Sequence, residues 1–285
     1  MKNLKTDQIA VSNFPYYKYS LDYALDSLAR MGGKNLEFYA CDPHLHMDDA
    51  SVSDIKTAAR KVRENGLKTI CVTPEQCNYP VNIASANIAA RKRSIAVYVK
   101  AMETAVEMDC QLCQFLAGFG CLDEADEDIW KRSVESLGYL ADLAETYGIH
   151  IALETSPKEY TCLTDSIKIA DMVNEVGSSA LHGMIDTAVL GYSHETIQDA
   201  IAGLENGRIL RHVHVGDGKP NGHFIIGEGN LNLKEMMSAL DQIRMRSKNH
   251  WRWYISVSHD WKNERTRWQE LCQVANSRCL QWVVL

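Results

Sequence analysis

Short apolar runs rich in branched residues alternate with longer amphipathic runs along most of the chain. We predict eight β-strands from the apolar runs, because such segments bounded by turn residues are typical of buried strands. The predicted strands lie at residues 8–14, 35–40, 67–73, 110–118, 150–155, 181–187, 210–216 and 253–258. The runs between them place apolar residues along one side of a helix, as Trp130, Leu137 and Leu140 do.

This alternation predicts an α/β fold with a parallel sheet, because each strand is followed by a helix and then by another strand. Eight strands with no linker or low-complexity break favour a single (β/α)8 TIM barrel over residues 1–285. A doubly wound open sheet is the alternative, but its usual glycine-rich first turn is absent. Residues 243–285 form an atypical segment that is rich in Trp and Arg and weakly amphipathic.

The composition indicates which kinds of binding partner to expect. The formal net charge of −7 disfavours a nucleic-acid surface, which needs a basic face. No apolar run approaches the ~18 residues of a membrane span, and the first residues lack the apolar centre of a signal peptide. The nine scattered cysteines indicate reduced thiols. We therefore expect a cytoplasmic protein whose partner is a small molecule, neither nucleic acid nor membrane, with homo-oligomerisation left open.

Three polar residues lie at the ends of consecutive predicted strands: Glu154 in HIALET, Asp186 in LHGMIDT and His214 in LRHVHVGD. The C-terminal ends of barrel strands meet at one mouth, so these side chains are expected to converge. Two carboxylates and an imidazole are ligands for a divalent metal, with Mn²⁺ as the first expectation and Mg²⁺, Co²⁺ or Zn²⁺ as alternatives. For each carboxylate taken alone, a salt bridge to a neighbouring strand is the competing interpretation.

Other polar residues follow predicted strands at the same mouth. His44 follows the second strand, Glu75 the third and Glu159 the fifth, and we predict that all three bind substrate. A loop histidine without a role, a helix cap or a solvated charge is the alternative in each case. His212 lies two residues before His214 and faces the same side, so one ring can bind metal while the other packs beneath it.

Six segments resemble the xylose-isomerase-like barrel superfamily of sugar isomerases and epimerases, and within it the fructoselysine 3-epimerase type. They are LEFYACDPH (36–44), TPEQCNYPVNI (73–83), ALETSPKEY (152–160), MIDTA (184–188), RHVHVGDG (211–218) and HFIIGEGNLNLKEMM (223–237). The resemblance implies that Glu154, Asp186 and His214 are three of four metal ligands and that His223 contacts substrate. It implies a metal-dependent sugar or sugar-conjugate isomerase or epimerase that transfers protons next to a metal-chelated carbonyl, with Glu154 as one catalytic group.

Two departures from that pattern keep alternatives open. The fourth ligand of the family is a Glu at the end of strand eight, where this chain has Ser258. We assign the second catalytic role to His259, with Asp260 as the alternative, since a one-residue slip reverses which side chain faces inward. Val189 stands where free-ketose epimerases often have a His, which favours fructoselysine-type substrates.

Three rival functions follow from the same comparison of motifs. A catalytic subunit that cleaves C-glycosides shares the barrel and the metal set. A sugar-binding barrel with impaired catalysis is the consequence if Ser258 leaves one face without a carboxylate. The metal-dependent nuclease branch is disfavoured, because it requires further histidines, one of them at Val189, and a basic face.

Overall fold

The computed structural model describes residues 8–77, 81–246 and 254–257, and for 244–246 and 254–257 it describes the backbone only. The strands are β1 Ile9–Ser12, β2 Asn35–Ala40, β3 Lys68–Pro74, β4 Leu112–Phe115, β5 His150–Leu153, β6 Leu181–Asp186, β7 Leu210–Val215 and β8 Tyr254–Val257. The helices are α1 Leu21–Arg30, α2 Val52–Glu64, α3 Ile88–Glu107, α4 Asp126–Tyr147, α5 Ser166–Val176, α6 Leu190–Ser193, α7 Ile197–Gly203 and α8 Leu233–Arg246. Each strand falls within a predicted one or overlaps it.

The strands form a parallel sheet in chain order, and the sheet curls until its last strand meets its first. Val257 of β8 pairs with Val215 of β7 on one side and with Val11 of β1 on the other. The helices pack against the outside of this sheet, which confirms the α/β class. Among the described residues, no helix combines the length and the apolar character that crossing a membrane requires.

Local hydrogen bonds set where the helices begin. At α2, the Ser51 hydroxyl accepts from the backbone N–H of Asp54, and the Asp54 carboxylate accepts from the backbone N–H of Ser51 at 2.9 Å. Helix α3 begins at Ile88. The reason is that the Asn87 side chain accepts from the N–H groups of Ala89 and Ala90 and caps the helix there.

The interior of the barrel changes from apolar to polar along the strands. A small cluster fills the inside, consisting of Ala10, Ile70, Cys71, Leu112, Ala152 and Met184. Two residues further along their strands, Gln114, Glu154 and Asp186 carry polar side chains on the same inward face, because side chains alternate along a strand. The apolar cluster therefore forms a floor beneath a polar mouth at the C-terminal strand ends.

The loop after β7 is organised by one buried carboxylate. Asp217 Oδ1 accepts from the backbone N–H groups of Gly218 at 2.9 Å and Leu231 at 3.1 Å, and Oδ2 accepts from those of Gly227 and Gly229, both at 3.0 Å. Four donors compensate for the loss of hydration of this 3% exposed side chain. The GEG segment at 227–229 therefore forms a turn that wraps around Asp217. A Cβ on Gly229 would lie 2.0 Å from Asp217 Oδ1.

We expect Gly229→Ala to lower the free energy of unfolding by about 1–3 kcal/mol, because the added methyl group displaces the Asp217 carboxylate from its four backbone donors. The matched control is Gly138→Ala in α4, where a Cβ meets nothing within 4 Å. This control should be neutral or stabilising by up to about 1 kcal/mol, the helix propensity difference. Urea denaturation of both variants measures the effects, and equal shifts of the two would contradict the role given to Asp217.

Candidate active site and metal centre

The structure brings Glu154, Asp186 and His214 together at the mouth of the barrel. Glu154 directly follows β5, Asp186 is the last residue of β6, and His214 pairs with Asp186 across β6 and β7. His214 Nδ1 lies 3.3 Å from Glu154 Oε1 and 3.7 Å from Asp186 Oδ2. One ligand atom from each residue lies within 4.8 Å of the other two. The geometry is that of a site for one cation, and the ion itself stays a prediction.

These residues form one wall of a cavity of about 350 Å³. The lining residues are Ser12, Phe14, Glu37, Tyr39, Thr73, Pro74, Gln76, Cys77, Gln114, Glu154, Ser156, Asp186, Val189, His214 and His223. Phe14, Pro74 and Val189 supply apolar surface, and the rings of Phe14 and Tyr39 meet edge to face at 4.8 Å. The cavity therefore combines a charged side with an apolar side, as small-molecule sites commonly do.

Glu37 on β2 is the site residue that the sequence analysis missed. Its carboxylate lies 2.9 Å from His214 Nε2 and 2.9 Å from His212 Nε2, and it accepts from the Thr73 hydroxyl at 2.5 Å. The side chain is buried. One signal was present in the sequence, namely a single acidic residue inside the apolar segment LEFYA. A buried carboxylate needs such partners, which identifies the residue as part of a polar network.

The charged groups at this site shift the pKa values of their neighbours. Burial would lower the pKa of His214, but the charge of Glu37 and hydrogen bonds to Asp186, Glu154 and Glu37 raise it well above its ordinary value. Burial would raise the pKa of Glu37, yet the charges of His214 and His212 hold it well below the ordinary value. The pKa of Asp186 is likewise lowered, against burial, by hydrogen bonds from His214 and His223. The carboxylates therefore stay ionised and require positive charge between them.

His223 reaches this centre from the loop that Asp217 organises. Its Nε2 lies 3.0 Å from Asp186 Oδ2, and that hydrogen bond raises the pKa of the imidazole. The backbone N–H of Phe224, the next residue, donates to Asp217 O at 2.9 Å. The His223 side chain is half exposed and lines the cavity. His223 therefore lies where a ligand in the cavity could reach it, and its contact with substrate stays a prediction.

The structure does not bring His44, Glu75 or Glu159 to the cavity. His44 is buried, with Nδ1 2.8 Å from Asn13 Nδ2 and Nε2 3.0 Å from Tyr19 O, so neither ring nitrogen is available to a ligand. Burial lowers the pKa of this ring. The expected substrate contact by His44 is therefore not supported, because the ring joins the first two β–α loops instead.

Glu75 and Glu159 differ from the expectation for separate reasons. The Glu75 carboxylate accepts from the Tyr39 hydroxyl and, at 2.8 Å, from the backbone N–H of Cys77, so it orients a residue that lines the cavity and does not line it itself. Glu159 is exposed in a turn after β5 and lies outside the cavity lining. The assignments of Ser258, His259 and Asp260 lie outside the described residues, beyond the end of β8 at Val257.

Comparison with known proteins agrees with the fold and the family expected from the motifs. Fructoselysine 3-epimerase from Escherichia coli O157:H7 is 26% identical over 225 residues, covering 78% of this chain and 81% of that protein. D-psicose 3-epimerase from Ruminiclostridium cellulolyticum is 26% identical over 231 residues, covering 78% of this chain and 74% of that protein. Both of these relatives are named as sugar epimerases.

A solved structure of a D-tagatose 3-epimerase-like protein has the same fold, with a TM-score of 0.79 at 21% identity, covering 94% of this chain and 97% of that one. The family model described as "Xylose isomerase-like TIM barrel" matches residues 25–278, nearly the whole chain. The chain belongs to the xylose isomerase-like TIM barrel family.

Proposed function

We propose that this protein is a divalent-metal-dependent epimerase or isomerase of a sugar or sugar conjugate, built on a complete (β/α)8 barrel. The observation that carries the proposal is the convergence of Glu154, Asp186 and His214 Nδ1 in one wall of the cavity. Membership of a family that includes sugar epimerases supports the substrate class. Mn²⁺ is the first candidate for the ion, with Mg²⁺, Co²⁺ and Zn²⁺ as alternatives.

The residues present fit a metal ion in kind as well as in position. Two carboxylate oxygens and one imidazole nitrogen suit a divalent ion of the first transition series. Glu37 accepts from the Nε2–H of His214, which fixes the tautomer and directs the Nδ1 lone pair toward Glu154 and Asp186. Carboxylate–histidine pairs of this kind orient metal-binding rings and raise their basicity. Glu37 is therefore proposed as a positioning residue for His214.

The chemistry required is removal of a proton from a carbon next to a carbonyl and its return to the same or the neighbouring carbon. A bound divalent ion supplies polarisation of that carbonyl. Glu154 is proposed to accept the proton, since its carboxylate lies in the cavity wall beside His214. His223, beside Asp186 on the loop, is proposed to donate a hydrogen bond to a substrate oxygen. His259 stays the proposed second proton-transfer group.

The cavity wall favours a sugar conjugate of the fructoselysine type over a free ketose. Val189 lines the cavity and offers no hydrogen bond to a hydroxyl group. Together with Phe14 and Pro74 it provides apolar surface suited to a methylene chain, whereas a free ketose carries hydroxyl groups that need polar partners. Fructoselysine and D-psicose are therefore the first two substrates to compare, and the wall predicts faster turnover of fructoselysine.

A sugar-binding barrel without turnover is the second candidate, and it is favoured by Ser258 standing where the family has a Glu. Cleavage of a C-glycoside is a further alternative on the same metal set. Incorporation of deuterium from solvent into the bound sugar separates these functions. An epimerase exchanges a carbon-bound proton, a binding protein does not, and a C-glycoside-cleaving subunit releases an aglycone.

Replacing Asp186 is the first test of the metal centre. We expect Asp186→Ala to abolish Mn²⁺ binding and deuterium exchange while the far-ultraviolet circular dichroism stays unchanged, because the barrel core does not depend on the ion. The control is Asp171→Ala, which changes an exposed carboxylate on α5. Full Mn²⁺ occupancy in the Asp186 variant would show that the site was assigned wrongly.

Glu37→Gln tests the positioning role of the buried carboxylate. The amide keeps the shape but removes the charge that His214 and His212 face, so we expect a loss of about 10–100-fold in Mn²⁺ affinity. Isothermal titration calorimetry measures this loss, with Thr104→Val as a control for removing a buried side-chain polar group elsewhere. Unchanged affinity would limit Glu37 to a structural role.

Ser258→Glu tests the departure at strand eight. If the missing carboxylate limits the site, the substitution should tighten Mn²⁺ binding and increase deuterium exchange by about 10²–10⁴-fold, the usual effect of a positioned acid or base. Ordinary epimerase turnover by the unmodified chain would contradict this prediction and would make His259 and Asp260 the next residues to replace.

A further inference from the structure

A continuous line of buried polar side chains connects helix α3 to Glu154. The Tyr98 hydroxyl donates to Gln76 Oε1 at 2.6 Å, Gln76 Nε2 donates to Gln114 Oε1 at 2.5 Å, and Gln114 Nε2 donates to Glu154 Oε2 at 2.6 Å. Tyr98, Gln76 and Gln114 are all buried. Neither Gln76 nor Gln114 is a candidate metal ligand or proton-transfer group, although both line the cavity.

The direction of these hydrogen bonds is fixed by a group that cannot change roles. The backbone N–H of Leu116 can only donate, and it lies 2.9 Å from Gln76 Oε1. The atom at that position must therefore be oxygen, so the amide nitrogen of Gln76 faces Gln114 and donates to its oxygen. The nitrogen of Gln114 must then face Glu154. A backbone group at the end of β4 thus determines which end of each amide is presented to the next.

We propose that Gln114, oriented by Gln76, is a positioning residue for Glu154. Its N–H occupies Glu154 Oε2, which leaves Oε1 facing His214 Nδ1 at 3.3 Å as the oxygen available to a cation. This inference rests on the proposed function, since it takes Glu154 to be a metal ligand. The two glutamines thereby determine that Glu154 binds through one defined oxygen.

A neutral donor suits this task better than a cationic one. A hydrogen bond from an amide to an ionised carboxylate is strong but leaves the full negative charge available to an ion. A lysine or arginine at position 114 would compensate the charge of Glu154 and compete with the metal. Because the line of amides is buried, a reversed glutamine would place two oxygens in contact away from water, which is costly.

The test is a double-mutant cycle on Mn²⁺ affinity. Gln114→Met removes the donor at nearly constant volume, and Gln76→Met removes the group that orients it. We expect Gln114→Met to weaken Mn²⁺ binding by about 10–100-fold and Gln76→Met to weaken it less. The double variant should be no weaker than Gln114→Met alone, because the two residues act through one hydrogen bond to Glu154.

A spectroscopic readout separates positioning from general destabilisation. With Oε2 released, Glu154 can bind through either oxygen, so the electron paramagnetic resonance spectrum of bound Mn²⁺ should change in both glutamine variants. Ser133→Ala is the matched control, because it removes a buried hydrogen bond to Ala117 O nearby without touching this network. It should leave the affinity and the spectrum unchanged.

Each result has a distinct meaning. If the wild type binds Mn²⁺ and Gln114→Met binds it with the same affinity and the same spectrum, the positioning role of Gln114 is overturned. The proposed function then still stands. Additive losses in the double variant would also overturn it, since independent effects do not pass through one bond. A wild-type protein that binds no divalent ion would overturn the proposed function and, with it, the assignment of Gln114.

Discussion

Three carboxylates, two of them buried and one partly buried, face one imidazole at the mouth of this barrel. Glu37 faces one ring nitrogen of His214, and Glu154 and Asp186 face the other. Such an arrangement is unfavourable unless positive charge lies between the acidic groups, because burial removes the water that would otherwise screen them. The pKa of His214 is raised and those of Glu37 and Asp186 are lowered for this reason. The surrounding structure serves to hold these charges at fixed positions.

Besides the imidazoles, neutral side chains and a backbone group donate hydrogen bonds to these carboxylates. Thr73 and Gln114 donate to Glu37 and Glu154, and the backbone N–H of Ala188 donates to Asp186 Oδ1 at 2.8 Å. None of these donors compensates a full charge, so the carboxylates keep their attraction for a cation. The apolar cluster beneath them keeps water away from the lower side. The acidic groups therefore face the cavity with their charge intact.

The convergence of the three candidate metal ligands could be predicted from the sequence, because their positions follow from the alternation of strands and helices. Glu154, Asp186 and His214 lie at the ends of apolar runs, and parallel strands bring such ends together. Glu37 lies within β2, not at its end, and its role depends on rings 175 and 177 residues away along the chain. No local pattern reports a pairing at that separation, although an acidic residue in a buried strand is a signal that one exists.

Loop residues were harder to place for a different physical reason. His44 and Glu75 both follow strands at the mouth, yet a loop can turn a side chain toward the helices or toward a neighbouring loop as readily as toward the cavity. Hydrogen bonds to Asn13 and Tyr19 hold His44, and bonds from Tyr39 and Cys77 hold Glu75. The GEG turn at 227–229 depends on the carboxylate of Asp217, which lies ten or more residues earlier in the chain.

The loop around Asp217 positions one residue of the candidate site, His223, while the strands position the others. Asp217 holds the backbone at Gly218 and again at Gly227 and Gly229, so the two ends of the segment between them are fixed to the end of β7. His223 lies within that segment, while His214 lies in the strand itself. The position of His223 therefore depends on the length and the turns of segment 219–226, whereas the position of His214 is set by the strand.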